Sequence, residues 1–197
     1  MRLYVGDRSG NCHKVQLFLS VLETPYEEVR MTYDDRSLKS ADFLAKNPRG
    51  QVPVLEHEGR YVWDSQAILV YLARRFGGER WLPLDAFGMA EVMQWLALSE
   101  NEMLYGIARA RAIRTFREEG DHARAVAIAH RGLAVLERRL EESDWLALGR
   151  PTIAEMACFT YPALAHEGDI DVGAYRSVVA WLGRVRALPG FVAMPGM

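Results

Sequence analysis

Cysteine is scarce in this 197-residue sequence, which has only Cys12 and Cys158. Two cysteines make neither a disulfide framework nor a metal cluster, and the five histidines are scattered without ligand spacing. We therefore predict no bound metal. The formal net charge is −2, which argues against a general nucleic-acid binder.

Long apolar runs are also missing. No run reaches the length that crosses a membrane, so we predict no membrane partner. Arg2, Asp7 and Arg8 introduce charge too early for a signal peptide, and we expect a cytoplasmic protein. Hydrophobic residues make up 50% of the chain, enough for one large core or two small ones.

The first part of the chain alternates strand and helix signals in the order β-α-β-α-β-β-α. Apolar runs bounded by turn residues predict strands at residues 3–5, 26–31, 52–55 and 61–63. A polar loop and a short helix at residues 41–46 precede the third strand, and Gly59 separates the last two strands as a hairpin. We predict a mixed four-stranded sheet within a domain over residues 1–77.

The second part has only helical signals. Residues 78–85 form the predicted linker, and residues 86–197 form the predicted all-helical domain. Apolar stripes at three- and four-residue spacing predict helices around residues 126–140 and 175–185. Thr152 and Glu155 form a predicted capping box, in which each side chain bonds the backbone N–H of the other residue. Cys158 lies in an apolar helix and is predicted to be buried.

Residues 51–65 are the most informative stretch. An extended segment next to Pro53 offers backbone groups to an extended peptide. The hairpin then ends on Asp64 and Ser65, where a helix begins, and a helix N-terminus attracts a carboxylate. The two features predict a site for a small, anionic, peptide-like ligand. An ordinary N-cap explains Asp64 and Ser65 equally well.

Three segments together resemble the cytosolic glutathione S-transferase family, in its bacterial serine-type, theta- or Nu-like form. Residues 47–55 read Asn-Pro-Arg-Gly-Gln-Val-Pro-Val-Leu, residues 64–68 read Asp-Ser-Gln-Ala-Ile, and residues 151–155 contain the capping box. The resemblance covers essentially the whole chain. It implies a thioredoxin-like α/β domain followed by an all-α domain, with glutathione as the co-substrate.

The resemblance also implies a glutathione site. The Val52–Pro53 peptide is expected to be cis, with the Val52 backbone facing the cysteinyl part. Ser65 is expected to bond the γ-glutamyl carboxylate and Asp64 to anchor the ammonium group. Lys39 and Gln51 match positions that contact the glycyl or γ-glutamyl end, although Lys39 also suits an ordinary exposed lysine. The implied binding residues are Ser9, Lys39, Gln51, Val52, Pro53, Asp64 and Ser65.

Catalysis is expected from the loop at residues 8–15. A donor aimed at the glutathione sulfur beside a helix N-terminus stabilises the thiolate. Ser9 is the first candidate for this donor and Asn11 the second, since both matching positions carry such donors in the family. Both residues also suit a plain loop and N-cap. Cys12 is the alternative, as a redox centre that forms a mixed disulfide with glutathione.

The electrophile site is predicted between the two domains, from Cys12, Tyr105, Arg109 and Arg111. A solvated helix face explains the arginines equally well. The predicted function is conjugation of glutathione to a small electrophile by a homodimer. The alternatives are a glutathione-dependent disulfide reductase or isomerase, with a small disulfide as substrate for the reductase, and a non-catalytic binding module.

Overall fold

A four-stranded sheet and a set of helices make up the chain, as a computed structural model shows for residues 1–33 and 35–197. The strands are β1 (Arg2–Gly6), β2 (Glu27–Met31), β3 (Val54–His57) and β4 (Arg60–Trp63). Their order in the sheet is β2-β1-β3-β4. β1 is parallel to β2 and antiparallel to β3, and β3 is antiparallel to β4. The predicted mixed sheet is confirmed.

The helices of the first part lie between these strands. They are α1 (Gly10–Val21), α2 (Asp35–Leu38), α3 (Ala41–Leu44) and α4 (Ser65–Leu72), and α4 continues into a π-helical turn at Ala73–Gly77. Two predictions need correction. The polar loop after β2 contains α2, a single turn that is too short to show a helical period. β3 begins at Val54 because Pro53 has no N–H to give to a strand ladder.

The β3–β4 hairpin brings the two ends of the informative stretch together. Its turn residues, Glu58 and Gly59, have φ of 51° and 72°, as a tight two-residue turn requires. Val54 pairs with Trp63 in the register of the two strands. Pro53, just before β3, and Asp64, just after β4, therefore lie next to each other at one end of the hairpin.

The second part of the chain is helical. One long helical rod, continuous from residue 86 to residue 115, consists of α5 (Ala86–Leu98), a π-helical segment (Ser99–Ala108) and α6 (Arg109–Thr115). It is followed by α7 (His122–Glu142), α8 (Ile153–Cys158), α9 (Thr160–Ala163), a 3₁₀ turn (Ala165–Gly168) and α10 (Arg176–Arg186). Within the described ranges, no helix has both the length and the apolar character needed to cross a membrane.

Helix α8 lies at the centre of the molecule, packed against α1, α4 and α5. All six of its residues are buried, including Glu155 and Cys158. The predicted capping box is present. Glu155 Oε2 accepts from the Thr152 N–H at 2.7 Å and from the Thr152 hydroxyl at 3.1 Å, while Oε1 accepts from the Leu146 N–H at 2.8 Å. Burial raises the pKa of Glu155 to about 7, against the opposing effect of these hydrogen bonds.

We expect Thr152→Ala to lower the free energy of unfolding by about 2 kcal/mol, near the upper end for a lost N-cap. The Thr152 hydroxyl accepts from the Ala154 N–H at 3.1 Å and is fully buried, so water cannot replace it. Urea unfolding followed by circular dichroism measures the loss. Asp121→Ala is the matched control, because Asp121 caps α7 at an exposed position. It should cost about 0.5–1 kcal/mol, and equal losses in the two variants would show that burial adds nothing.

Candidate functional site

A cleft of about 420 Å³ lies where the hairpin end, the loop before α1 and the π-helical segment meet. The structure brings together here every residue that the sequence assigned to the peptide site, together with the second candidate donor. These residues are Ser9, Asn11, Lys39, Gln51, Val52, Pro53, Asp64 and Ser65. The sequence did not single out Tyr33, Arg49 and Glu100, which also line the cleft.

The wall formed by residues 47–53 is shaped by Asn47. Its amide donates to the Gln51 carbonyl at 2.7 Å, and its Oδ1 accepts from the Arg49 N–H at 2.9 Å. Gly50 has φ of 59°, and a Cβ at this position would lie 2.7 Å from the Leu38 carbonyl oxygen. These contacts explain why an asparagine and a glycine flank this loop. The Val52–Pro53 peptide is cis, which confirms the expectation from the resemblance.

The opposite wall is the N-terminus of α4. Asp64 Oδ1 accepts from the N–H groups of Gln66 at 3.0 Å and Ala67 at 3.4 Å, and Oδ2 lies 3.3 Å from Arg49 Nη1. Asp64 has φ of 77°, a conformation that costs free energy in a residue with a side chain. The next residue, Ser65, has a buried hydroxyl without a hydrogen-bond partner among the described residues. A buried unpaired hydroxyl is unfavourable, so a ligand oxygen placed here gains a bond that the protein alone lacks.

A buried polar cluster fixes Glu100 in the same end of the cleft. Lys14 is fully buried in α1, and its Nζ donates to Ser99 Oγ at 2.9 Å and lies 3.6 Å from Glu100 Oε1. Gln66 Nε2 donates to the same Glu100 oxygen at 2.8 Å. Burial lowers the pKa of Lys14, and the charge of Glu100 opposes this shift. The cleft therefore holds both the Glu100 carboxylate and the unpartnered Ser65 hydroxyl, two groups that complement an amino-acid head group.

The candidate donors line the same cleft at the N-terminus of α1. Ser9 is the N-cap of α1, and its hydroxyl accepts from the Cys12 N–H at 3.3 Å. Asn11 Oδ1 accepts from the Tyr161 hydroxyl at 3.1 Å. With its oxygen occupied, the Asn11 side chain has its amide group left to donate. Ser9 and Asn11 therefore each keep a donor group in the cleft, the hydroxyl of Ser9 and the amide of Asn11.

Cys12 lines neither this cleft nor the larger cavity that adjoins it. Its side chain points toward β1, where Sγ accepts from the Gly6 N–H at 3.4 Å. Burial raises the pKa of Cys12 to about 11, although its hydrogen bonds with Ser9 and Gly6 oppose the shift. At neutral pH the thiol stays protonated, which does not suit a redox centre.

A second cavity of about 840 Å³ adjoins the cleft and shares Ser9, Tyr33, Gln51 and Leu104 with it. Three of the residues predicted for the electrophile site, Tyr105, Arg109 and Arg111, line this cavity. The second cavity therefore adjoins the cleft at Ser9, the first candidate donor, whereas Asn11 lines the cleft alone.

The arginines of this cavity are largely paired. Glu167 accepts from Arg111 and, at 2.8 Å, from Arg8 Nη2, while Arg109 pairs with Glu118. Arg111 is only 3% exposed, so it does not belong to a solvated face, and its Nη2 has no partner among the described residues. Phe116 lies under the guanidinium groups of Arg8 and Arg111. No group of three or more His, Cys, Asp or Glu in the described part of the chain is arranged to hold a metal ion.

Comparison with known proteins gives one consistent result. Residues 1–74 match the family model "Glutathione S-transferase, N-terminal domain". The chain is 36% identical to glutathione S-transferase GstB of Escherichia coli over 127 residues, which are 61% of this chain and 60% of that protein. It is 32% identical to glutathione S-transferase 1 of Schizosaccharomyces pombe over 77% of this chain and 69% of that protein. The match with GstB therefore spans less than two thirds of that relative.

Two further similarities cover nearly the whole chain. A crystal structure of a glutathione S-transferase from Xanthobacter autotrophicus superposes with a TM-score of 0.91 and 34% identity, covering 99% of this chain and 97% of that one. The disulfide-bond oxidoreductase YfcG of Escherichia coli is 27% identical over 91% of this chain and 87% of its own length.

We expect iodoacetamide to leave the folded protein unmodified at pH 7.5, because both cysteines are buried and burial raises the pKa of each thiol. Intact-mass spectrometry after a fixed exposure measures this. Two modifications should appear once the chain is unfolded in urea. Ser9→Cys is the control, since a thiol at the cleft should react in the folded state. If Cys12 in the folded protein reacted at the rate of a free thiol, Cys12 would again be a candidate redox centre.

Proposed function

The chain belongs to the glutathione S-transferase family, and from this premise we propose that it adds the thiolate of glutathione to a small electrophile. The observation that carries the proposal is the buried, unpartnered hydroxyl of Ser65 in the same cleft as the carboxylate of Glu100. Ser9 lines the same cleft. A tripeptide with an amino-acid head group at one end and a thiol in the middle suits this arrangement.

The γ-glutamyl end binds at α4. Its carboxylate accepts from Ser65 and from the helix N-terminus, and its ammonium group lies near Asp64 and Glu100. The extended backbone before β3 holds the middle of the peptide in the manner of an added strand. Lys39 and Arg49 are the cations available to the glycyl carboxylate. Lys39 Nζ already donates to the carbonyl groups of Arg49 and Gly50 at 3.1 and 3.3 Å, so it is held at the rim of the cleft.

The thiol lies at Ser9. A free thiol has a pKa of about 8.5 and is mostly protonated at neutral pH. Donation from the Ser9 hydroxyl, assisted by Asn11 and the N-terminus of α1, favours the charged form and lowers this pKa. The thiol proton leaves to solvent. The sulfur lone pair then forms a bond to the electrophilic carbon, while a leaving group departs with its electron pair or an activated double bond takes up a proton. Ser9 keeps its own proton throughout.

The electrophile occupies the second cavity. Tyr105 and Phe116 offer it ring surfaces, and Arg111 offers a guanidinium group with one unpartnered nitrogen. This cavity joins the cleft at Ser9 and Tyr33, the place where the sulfur must be exposed to its partner.

We expect calorimetric titration with reduced glutathione to show one saturable site per chain. Ser65→Ala should weaken binding about tenfold, since it removes a hydrogen bond to a charged group. Ser9→Ala should leave glutathione affinity within about twofold of wild type but lower the turnover of a chloronitrobenzene electrophile by about 10²-fold. The reason is that the hydrogen bond from the Ser9 hydroxyl strengthens when the sulfur becomes an anion.

Ser177→Ala provides the control for both variants, since Ser177 lies at the start of α10, outside both cavities. The absence of heat at millimolar glutathione would point instead to a non-catalytic binding module. Equal turnover in wild type and Ser9→Ala would remove Ser9 from the mechanism and leave Asn11 as the donor to test.

A disulfide is the second candidate substrate, because YfcG resembles the chain over most of its length. The bound thiolate attacks one sulfur of the disulfide and releases the other as a thiolate. A second glutathione then resolves the mixed disulfide and leaves oxidised glutathione. This route needs no protein cysteine and so fits the buried Cys12. Reduction of 2-hydroxyethyl disulfide without any conjugating activity would favour it.

We propose a homodimer, the usual assembly of this family. Large apolar side chains are exposed on β4 and on α5: Tyr61, Trp63, Phe87 and Met93, with Phe87 91% exposed. A two-fold axis that places the first domain of one subunit against the second domain of its partner covers both faces at once.

We expect light scattering to give a mass of twice the 22.3 kDa of the chain. Phe87→Asp should lower the measured mass to that of one chain, since burying a charge without a partner in the interface is costly. Val135→Asp, at an exposed apolar position of α7, should remain dimeric. A wild-type protein at the mass of one chain would contradict the dimer.

A further inference from the structure

Arg8 lies in the turn that leads from β1 to Ser9. Its φ is 53°, in the left-handed region that residues with a side chain rarely adopt, and such a conformation persists only where the surrounding structure enforces it. Bonding within the turn is weak, since the Ser9 N–H donates to the Gly6 carbonyl at 3.4 Å. The backbone just before Ser9 is therefore held by contacts from outside the turn.

Arg111 supplies such a contact from the helical part of the chain. Its Nη1 donates to the Arg8 carbonyl at 3.0 Å, and this carbonyl belongs to the peptide bond that joins Arg8 to Ser9. Arg111 lies in α6 and is only 3% exposed. A single buried side chain therefore ties the peptide before Ser9 to the helical domain.

Glu167, in the 3₁₀ turn after α9, binds two arginines with one carboxylate. Its Oε2 accepts from Arg111 Nε, and its Oε1 accepts from Arg8 Nη2 at 2.8 Å. Together with the bond from Arg111 to the Arg8 carbonyl, these contacts form a closed ring. Burial acts to raise the pKa of Glu167, but the hydrogen bonds and charges of Arg111 and Arg8 outweigh burial, so this pKa is lowered. Glu167 is thus a charged carboxylate at neutral pH.

Neighbouring groups hold this ring of contacts in place. The Thr115 hydroxyl donates to the Glu167 carbonyl at 3.0 Å. The centre of the Phe116 ring lies 5.3 Å from the guanidinium carbon of Arg8 and 5.0 Å from that of Arg111, close enough for a cation to be attracted to the ring face. Glu167 lines neither the cleft nor the second cavity. Its side chain is therefore connected to Ser9 through the two arginines.

We propose that Glu167 is a positioning residue, which holds Arg111 against the Arg8 carbonyl and so fixes where Ser9 stands in the cleft. The inference rests on the proposed function, since it needs Ser9 to stabilise the glutathione thiolate. The planar guanidinium of Arg111 suits this task, because Nε and Nη1 donate in two fixed directions at once, toward Glu167 and toward Arg8. A hydrogen bond weakens steeply with misalignment, so a small displacement of Ser9 reduces the stabilisation of the sulfur anion.

The test is Glu167→Asp, which keeps the charge but shortens the side chain by one methylene group, so that the carboxylate no longer reaches both arginines. The pKa of bound glutathione is read from the ultraviolet absorbance of the thiolate across a pH titration. We expect this pKa to rise by about one unit, the scale for a lost hydrogen bond to an anion. kcat/KM at neutral pH should fall by about tenfold and recover at alkaline pH. A thiol pKa at the wild-type value would overturn the proposal.

Arg111→Lys tests the same contacts from the other side. Lysine keeps the charge but lacks the two fixed donor directions, so the pKa of the bound thiol should rise as it does in Glu167→Asp. The measurement is made without an electrophile, so the contacts of Arg111 in the second cavity do not enter it. The double variant should be no worse than the more affected single variant. Additive rises in the thiol pKa would overturn the proposal.

Glu137→Asp is the matched control for a general structural effect. Glu137 lies in α7, and its two oxygens accept from the N–H groups of Ser177 at 3.0 Å and Val178 at 2.9 Å. The same shortening therefore disturbs a carboxylate with both oxygens occupied, outside both cavities. Glu137→Asp should leave the pKa of the bound thiol unchanged. A rise equal to that of Glu167→Asp would show a structural effect without positioning and would overturn the proposal.

Ser9→Ala separates failure of this inference from failure of the proposed function. A normal thiol pKa in Ser9→Ala would contradict the role of Ser9 and remove the basis of the inference. A raised pKa in Ser9→Ala together with a normal one in Glu167→Asp would overturn the inference alone. In the Ser9→Ala background, Glu167→Asp should have no further effect on the thiol pKa. A further rise there would show that Glu167 acts on the sulfur without Ser9 and would overturn the positioning role.

Discussion

The pairing of β3 with β4 is the constraint on which the cleft depends. The two-residue turn at Glu58 and Gly59 fixes the register, and that register places Pro53 and Asp64 side by side. A slip of one residue in a strand pair moves every side chain to the opposite face. The hairpin thus determines how far the backbone next to Pro53 lies from the N-terminus of α4, and so the length of ligand that the proposed site can hold between them.

A buried charge then fixes the helical part against this sheet. Lys14 lies in α1 and Glu100 in the long helical rod, so their contact joins the two parts of the chain. A fully buried lysine is tolerated only with partners, and Ser99, Gln66 and the ring of Tyr161 complete its surroundings. Lys14 and Gln66 hold the Glu100 carboxylate in the wall of the cleft. The π-helical segment that carries Glu100 is a rare geometry that often occurs at functional sites.

The sequence predicted the parts of the site that depend on local chemistry. The proline before β3, the capping pair at α4 and the capping box of α8 are each specified by neighbouring residues, and each is present in the structure. Glu100 and Tyr33 were missed because their positions in the cleft depend on how distant segments of the chain pack together. Glu100 has the pattern of a solvated helix face, and only the buried position of Lys14 shows otherwise. The inward direction of Cys12 likewise depends on how α1 packs on the sheet.

The buried position of Cys12 bears on the chemistry that we propose for this chain. Under the proposed function, the reactive sulfur at Ser9 is the one that the ligand brings, because a serine hydroxyl can stabilise a sulfur anion but cannot form a disulfide with it. Conjugation and disulfide reduction then share their first step, formation of the bound thiolate, and differ only in what occupies the second cavity. That cavity combines ring surfaces at Tyr105 and Phe116 with one unpartnered nitrogen of Arg111. An electrophile with an apolar body and one acceptor group satisfies both, whereas a small polar disulfide leaves the rings uncovered, and this difference favours conjugation.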